Sequence, residues 1–549
     1  MDFRVEGEIS PQLVAAVEQL ARAGGVELRG AVFTRPEVVE LLLDLVGYTA
    51  DQPLYTRRLL EPSAGGGAFL LPALRRMLAS WKAAGSPATD LGEALCAVEL
   101  HHQTLTATRQ MVEQELLTQG FTPLEANSLL SRWLRQGDFL LTPLETTFDY
   151  VVGNPPYVRQ ERIPGVLLAE YRRRYTTLVG RADLYVPFFE RSLQLLAPGG
   201  YLGFICADRW MKNQYGTRLR QMIAQHFHLK YYLDLSNTQA FETQVTAYPA
   251  ITVISRNSTA PTQVLSWPAL LTSAVDQSYP AQNLPDRGEP WLWQPDALTA
   301  LIRKMERQLP TLEEAGCKVG IGLATGADQV FIVPQALEVE ANRKLPLAMA
   351  RDLQRGEVAW GGKVLLNPFD DRGQLVDLAQ YPELRVHLEA HYPQLAARWC
   401  VRQAPERWYR TIDRPVSGLQ QQPKLLIRDL GGQAEVAHDS GRFYPHHNLY
   451  YLTSATWDLR CLQAVLLSGL ALLFVAAYST RMRGGFLRFQ AQYLRRIRLP
   501  HWEQVSPELR QRLAAVAQQH DLQGCRQATA QLYGWSRDER LLLNDTELT

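Results

Sequence analysis

Asn154, Pro155, Pro156 and Tyr157 close an apolar stretch, Asp149-Tyr-Val-Val-Gly, and their types suit one chemistry, the methylation of an amino group conjugated to a flat ring. The lone pair of such a nitrogen is delocalised and its geometry nearly planar, so it attacks poorly until it is reshaped. The carboxamide oxygen of Asn154 and the main-chain carbonyl of Pro155 can each accept one amino hydrogen, which favours a tetrahedral nitrogen with its lone pair directed at a methyl donor. Each proline fixes its own φ and restricts the residue before it, so these carbonyls are aimed by a stiff, extended segment. Tyr157 adds a ring on which a base can stack. Alone, the tetrapeptide could also be a strand-ending turn, the lesser of the two readings, and its surroundings reduce that reading further.

Leu59-Leu-Glu-Pro-Ser-Ala-Gly-Gly-Gly-Ala-Phe-Leu reads as a short strand, a glycine-rich turn and the start of a helix, which lets backbone approach a nucleotide-like ligand closely. The turn lacks the Gly-Lys-Ser/Thr of a phosphate-cradling loop and the Gly-x-Gly-x-x-Gly of a pyrophosphate site. With Glu61 at its head, the ligand is expected to be cationic. Ala94-Leu-Cys-Ala-Val-Glu is a second strand ending in Glu99, where an acid can accept hydrogen bonds from ribose hydroxyls. Gly137-Asp138-Phe139 offers a carboxylate for an adenine amino group and an aromatic wall for its face. A helix cap, a surface acid or a core Phe would account for any one of these. Four such pieces in this order at strand ends are jointly hard to account for that way.

The order of motifs resembles that of the gamma-type DNA N6-adenine methyltransferases, the TaqI-like class of S-adenosylmethionine-dependent enzymes. Gly30-Ala-Val-Phe-Thr-Arg-Pro-Glu-Val-Val is similar to the family's N-terminal motif, Glu61 to Gly67 to its methionine-binding loop, and Asn154 to Tyr157 to its catalytic motif. Ala182-Asp-Leu-Tyr-Val-Pro-Phe-Phe-Glu with Leu196 to Ile205, and Ala240-Phe-Glu-Thr-Gln-Val-Thr-Ala-Tyr-Pro-Ala-Ile-Thr-Val-Ile, resemble the later motifs. The cofactor residues implied are Thr34, Glu61, Pro62, Ser63, Ala64, Gly65, Gly67, Glu99, Leu100, Asp138, Phe139, Asn154 and Phe188. Asn154, Pro155, Pro156, Tyr157 and Phe241 form the implied catalytic set, with Phe241 holding a flipped base against Tyr157. Where the family often has Thr-Pro-Pro, this chain has Thr34-Arg35-Pro36, and Pro36 can still open a helix. Ser86-Pro87 implies a loop inside an over-long Arg75–Glu93 stretch.

The resemblance implies a Rossmann-like class I α/β domain with a mainly parallel seven-stranded sheet, then a mixed α+β domain that reads DNA. Alternating strands and helices from 30 to 256 support the first part, and the ligand site should lie at the carboxyl ends of the strands. The expected organisation is an amphipathic helical segment at 1–29, with Leu13, Val17, Leu20 and Ala21 on one face, and a catalytic domain at 30–256. A Pro/Gln/Ser/Trp-rich connector at 257–310, a recognition domain at 311–500 and a helical, charged tail at 501–549 follow. Strand-like pieces in the recognition domain are Val330-Phe-Ile-Val, Val364-Leu-Leu and Lys424-Leu-Leu-Ile.

A length of 549 residues calls for two or three domains, and 46% hydrophobic with 21% charged residues is a folded composition. The net charge of +1 does not advertise a polyanion partner. Locally, Arg481, Arg483, Arg488, Arg495, Arg496 and Arg498 run without an acid among Phe486, Phe489 and Tyr493. Such a run can neutralise duplex phosphates, or can equally be a solvated helix face with a buried aromatic side. Six scattered cysteines show no metal-ligand spacing, and none follows a proline as a cytosine-C5 nucleophile would. His101-His102 and His446-His447 lack third ligands at useful spacing, so no metal is expected. With no secretory leader, a cytoplasmic location is expected. The fifteen residues Ala464–Tyr478 are too few to span a bilayer and read as a buried helix.

The function these readings imply is adenine-specific, site-specific DNA methylation: S-adenosylmethionine as donor, double-stranded DNA as substrate, and the target adenine flipped out of the stack. Restriction-modification, phage defence or epigenetic marking is the expected setting, with any endonuclease or defence partner a separate protein. The alternative is an RNA or protein (glutamine) N-methyltransferase, and a decayed, non-catalytic DNA-binding subunit is a third possibility.

Overall fold

The computed structural model describes residues 10–22, 34–235, 238–242, 249–256, 262–266, 279–282, 284–293, 296–402, 404–431, 434–479 and 486–544. The chain divides into two compact units, Met1–Trp293 and Gln294–Thr549. The stretch 257–310, read from sequence as a connector, is therefore shared between them.

Among the described residues, unit 1 is built on nine strands: β1 (Leu59–Glu61), β2 (Leu95–Glu99), β3 (Leu134–Gln136), β4 (Phe148–Gly153), β5 (Leu196–Ala207), β6 (His228–Asp234), β7 (Pro249–Ser255), β8 (Thr262–Ser266) and β9 (Tyr279–Gln282). Their order is β3-β2-β1-β4-β5-β7-β6-β8-β9. β7 runs antiparallel between β5 and β6, and β9 antiparallel to β8, while the remaining pairs are parallel. The sheet is thus mainly parallel but has nine strands where seven were expected. The two additions come from the supposed connector, whose short strands, flanked by Pro and Ser, carry too brief an alternation to stand out.

Alternate residues of the central strands feed two separate cores. Leu60, Cys96, Val98 and Val151 face one, with Leu167 and Tyr171 of α6 (Gly165–Arg174) and Phe189 and Leu193 of α7 (Tyr185–Gln194), beneath Leu13 and Ala16 of α1 (Pro11–Ala21). Leu59, Leu95, Ala97 and Val152 face the other, with α2 (Pro36–Leu45), α3 (Leu70–Ala84), α4 (His102–Thr118) and α5 (Pro123–Trp133). Burial on both faces explains why these strands read as continuous apolar runs. The local signals act as expected. Pro36 opens α2, Gly85 ends α3 in the left-handed region at φ 62°, and Thr122 with Glu125 forms a capping box on α5. The Ser86-Pro87 loop follows α3 and leads into a 3-10 turn at Ala88–Glu93.

Unit 2 carries two larger sheets. One has six strands in the order β10 (Cys317–Ile321), β20 (Leu449–Ser454), β16 (Lys424–Arg428), β18 (Val436–Asp439), β14 (Glu357–Val358) and β13 (Leu353–Gln354). The other has four, β11 (Ile332–Pro334), β15 (Lys363–Leu366), β12 (Lys344–Ala348) and β19 (Tyr444–Pro445), and β17 (Leu430–Gly431) pairs with β21 (Leu487–Arg488). Val330-Phe-Ile-Val is not one strand. Val330 and Phe331 lie in a helical turn, α8 (Asp328–Phe331), and only Ile332 and Val333 enter β11. The apolar stretch becomes part of one long, largely buried helical segment, Leu459–Tyr478, with a π turn at Leu466–Leu470 where Gly469 takes φ 101°. It is core rather than a membrane span.

The core of unit 2 contains a charge pair with no exposed side-chain surface, Lys424 Nζ to Asp439 Oδ2 at 2.7 Å. Lys424 also donates to the carbonyls of Leu419, Gln420 and Gln422 at 3.0–3.1 Å. Asp439 accepts the amides of Gly441, Arg442 and Phe443 at 2.9–3.2 Å. Burial pulls the Lys424 ammonium below its ordinary pKa despite its carboxylate partner. Removing one member leaves the other buried and uncompensated. Lys424→Met should therefore lower the unfolding free energy in denaturant by about 3–5 kcal/mol. Glu389→Gln, which breaks the exposed Arg385–Glu389 pair, should cost at most about 1 kcal/mol. Equal effects would contradict the role assigned to the buried pair.

Candidate active site

The strand order reverses direction between β1 and β4, and the crevice beyond their carboxyl ends is where an open α/β sheet presents its ligand site. A cavity of about 190 Å³ lies there, lined by residues that follow β1, β2, β3 and β4 in turn. Glu61, the last residue of β1, is 1% exposed. It accepts the Leu70 amide at the start of α3, and its Oε2 is buried with no hydrogen-bond partner. Burial, reinforced by the nearby Glu99 charge, holds the Glu61 carboxyl well above the usual carboxylate range. Glu99 is tied down from both sides: its two oxygens accept the main-chain amides of Gly65 and His101, each at 2.8 Å. Gly65, at φ 49°, lets the loop fold back far enough to make that contact.

Asp138 follows β3, and its carboxylate accepts the Leu140 amide at 2.9 Å and the hydroxyl of Tyr171 from α6. Burial raises its pKa. Phe139 packs on Phe188 with ring centroids 5.1 Å apart, and the Arg191 guanidinium lies 5.1 Å over the Phe139 ring. At the end of β4, Asn154 Nδ2 donates to Thr34 Oγ1 at 3.3 Å, which fixes the rotation of the carboxamide, and Ser63 Oγ donates to the Asn154 carbonyl at 3.0 Å. Thr34 also forms a main-chain bridge with Phe241. Arg35 extends it, donating from its amide to Ala240 and from Nε to Phe241.

Of the residues expected to hold the cofactor, Thr34, Glu61, Pro62, Ser63, Ala64, Gly65, Glu99, Leu100, Asp138, Phe139, Asn154 and Phe188 all line this one cavity, and Gly67 stands behind it in the loop. Pro156 lines it as well. Tyr157 and Phe241 do not. They meet beside it, rings 6.5 Å apart and at 83°, edge to face. The sequence reading missed Leu20, His101, Tyr171 and Leu184 in the lining. Tyr171 comes from a helix with no motif of its own, and its contact with Asp138 spans 33 positions, so no local pattern announces it.

The arginine run behaves differently. Arg481 and Arg483 lie outside the described residues, as do Gly30 to Phe33 and the centre of the last motif, 243–248. Arg488 pairs with Asp429, and Arg495 with Glu313 at 2.8 Å. Arg496 pairs with Glu306 at 2.8 Å and lies 3.8 Å over the Tyr478 ring. Arg498 donates to the Leu309 carbonyl at 3.4 Å. Each described arginine of the run thus has an intramolecular partner, so the stretch is not a simple row of exposed cations awaiting phosphates.

A mainly parallel sheet with acids at three successive strand ends and Asn-Pro-Pro-Tyr at a fourth is the arrangement that the comparisons with known proteins place among methyltransferases of the restriction-modification type. Residues 96–241 match the family model described as Eco57I restriction-modification methylase. The chain is 54% identical to the Type II methyltransferase M.PaeR7I of Pseudomonas aeruginosa, over 97% of this chain and 96% of that one. With the Type II methyltransferase M.XhoI of Xanthomonas vasicola it shares 51% identity, over 93% of this chain and 98% of that one. The solved structure of the Type IIL restriction-modification enzyme MmeI in complex with DNA shares the fold at TM-score 0.59 and 10% identity, covering 93% of this chain and 75% of that one. The chain belongs to the Eco57I-type restriction-modification methylases and is a Type II methyltransferase.

A buried acid with a raised pKa destabilises the ligand-free fold as it is forced to ionise. Below the ordinary glutamate pKa both folded and unfolded Glu61 keep the proton. Above it the unfolded side chain ionises first, and stability is lost until the folded pKa is passed. Glu61→Gln should therefore raise the thermal midpoint of the ligand-free protein, by a margin that widens from about pH 5 to about pH 8. A margin independent of pH would show that Glu61 is not held protonated by burial.

Proposed function

We propose that the protein transfers a methyl group from S-adenosylmethionine to N6 of an adenine flipped out of double-stranded DNA, as the modification activity of a restriction-modification or related defence system. The observation that carries this reading is the pairing of an acidic cavity with Asn154. Three carboxylates line the cavity, and Glu61 Oε2 is buried without a partner, which fits a ligand carrying positive charge. Glu61 would face the ammonium or sulfonium end, Glu99 the ribose hydroxyls, and Asp138 with Phe139 and Phe188 the adenine. When bound, that cofactor supplies an electrophilic methyl carbon.

The chain's own groups prepare the nucleophile. Thr34 holds the Asn154 amide so that its carbonyl oxygen is the acceptor offered to one N6 hydrogen, and the Pro155 carbonyl takes the other. Tyr157 gives the extruded base a stacking face, offsetting part of the few kcal/mol that unstacking costs. Phe241, edge-on to Tyr157, closes the side of that slot. No covalent enzyme intermediate is needed.

Asn154→Ala should abolish methyl transfer while DNA and cofactor affinity stay within about threefold of wild type, because it removes contacts made mainly in the transition state. Tritium transfer to duplex DNA, RNA and ribosomal protein assayed in parallel tests both activity and substrate class. Label in RNA or in glutamine side chains would overturn the DNA reading. Tyr157→Ala should change the fluorescence response of 2-aminopurine placed at the target adenine, and an unchanged response would remove the stacking role.

A further inference from the structure

His446-His447 gains in three dimensions the third ligand it lacks in sequence. Asp328, 118 positions away, brings Oδ2 within 3.2 Å of His446 Nε2. One donor atom from each of Asp328, His446 and His447 falls in a cluster no wider than 4.8 Å. The two rings stand 4.1 Å apart, tilted by 51°. His447 Nδ1 is buried with no hydrogen-bond partner, whereas the Asp328 side chain is 44% exposed. His447 thus adds a ring with an unpartnered buried nitrogen, and Asp328 a side open to solvent.

The backbone holds these ligands on two elements anchored in one core. Val330 and Phe331 of α8 and Tyr444 of β19 bury their side chains in the same cluster. Leu323 bridges His446, its amide donating to the Pro445 carbonyl at 3.1 Å, and the His446 amide donates to Ala348 at 3.0 Å. The ligating side chains therefore start from fixed main-chain positions. We propose that Asp328, His446 and His447 form a binding site for one divalent transition-metal ion of the zinc class. Two imidazoles and a carboxylate are borderline donors suited to such an ion, with coordination positions left for water. Bonds of about 2.0–2.2 Å need the cluster to contract; Asp328 Oδ2 already faces His446 Nε2, while Thr325 Oγ1 donates to the other oxygen and holds the carboxylate in place. His446 Nδ1 now accepts the Asn448 amide at 3.4 Å, which puts the ring proton on Nε2. Binding at Nε2 moves that proton to Nδ1 and loses this long contact. The ion would clamp α8 to the turn between β19 and β20, within unit 2 and outside the methyl-transfer cavity.

Full-length protein stripped with a chelator and titrated with zinc chloride by calorimetry should take up one equivalent, with a rise in its thermal midpoint. His447→Gln and Asp328→Asn should each weaken that uptake by at least about tenfold, while their circular dichroism stays that of wild type. Cobalt(II) in place of zinc should give visible absorption that both variants lose. No uptake by the wild type at micromolar zinc, or equal uptake by both variants, would overturn the proposal and leave Asp328 and His446 as a hydrogen-bonded pair only. Neither result bears on methyl transfer, which is scored separately.

Discussion

A carboxylate oxygen sealed from water with nothing to bond to is costly, and unit 1 keeps one at the carboxyl end of β1. Glu61 cannot drift away from that position because β1 is flanked by β2 and β4 and backed by helices on both faces. Its nearest relief, Glu99, carries the wrong sign and is itself pinned by two main-chain amides. The remaining ways to satisfy Glu61 are a proton or a cationic ligand. The same crevice therefore keeps an acid from ionising and defines what can settle there, and local instability of this kind is what a rigid scaffold makes tolerable at functional sites.

Beside Glu61, the crevice is walled by a short, stiff stretch that follows β4. Asn154 and Pro156 line the cavity while Tyr157, one residue on, lies beside it against Phe241. One extended stretch of chain thus separates the cavity from the Tyr157–Phe241 pair beside it. Proline on either side of the Pro155 carbonyl allows little rotation there, so the division is set by covalent geometry as much as by packing.

Much of unit 1 was legible because its signals are local. A strand that ends in Glu, Asp or Asn, a glycine turn, a proline at a helix start and a Ser-Pro loop each act within a few residues. The lining of the cavity followed once the four strand ends were recognised as adjacent. What failed was long-range or short. β8 and β9 extend the sheet through a stretch whose composition reads as linker. The Arg496–Glu306 pair joins residues 190 positions apart and could not be read from the arginine run itself. The Asp328–His446 contact spans 118 positions and was invisible for the same reason. Val330-Phe-Ile-Val has strand propensity, yet two of its four residues were taken into a helical turn by the core they fill.

Thr34 is joined to two things at once. Its side chain steadies the Asn154 carboxamide, and its main chain bridges Phe241. The hydrogen-bond acceptor and the aromatic side wall therefore hang from a common peg. A change in the backbone at residue 34 would therefore reach the Asn154 amide and Phe241 together. A disturbance at residue 34 is thus felt at the carboxamide and at the ring alike, two groups that lie far apart along the chain.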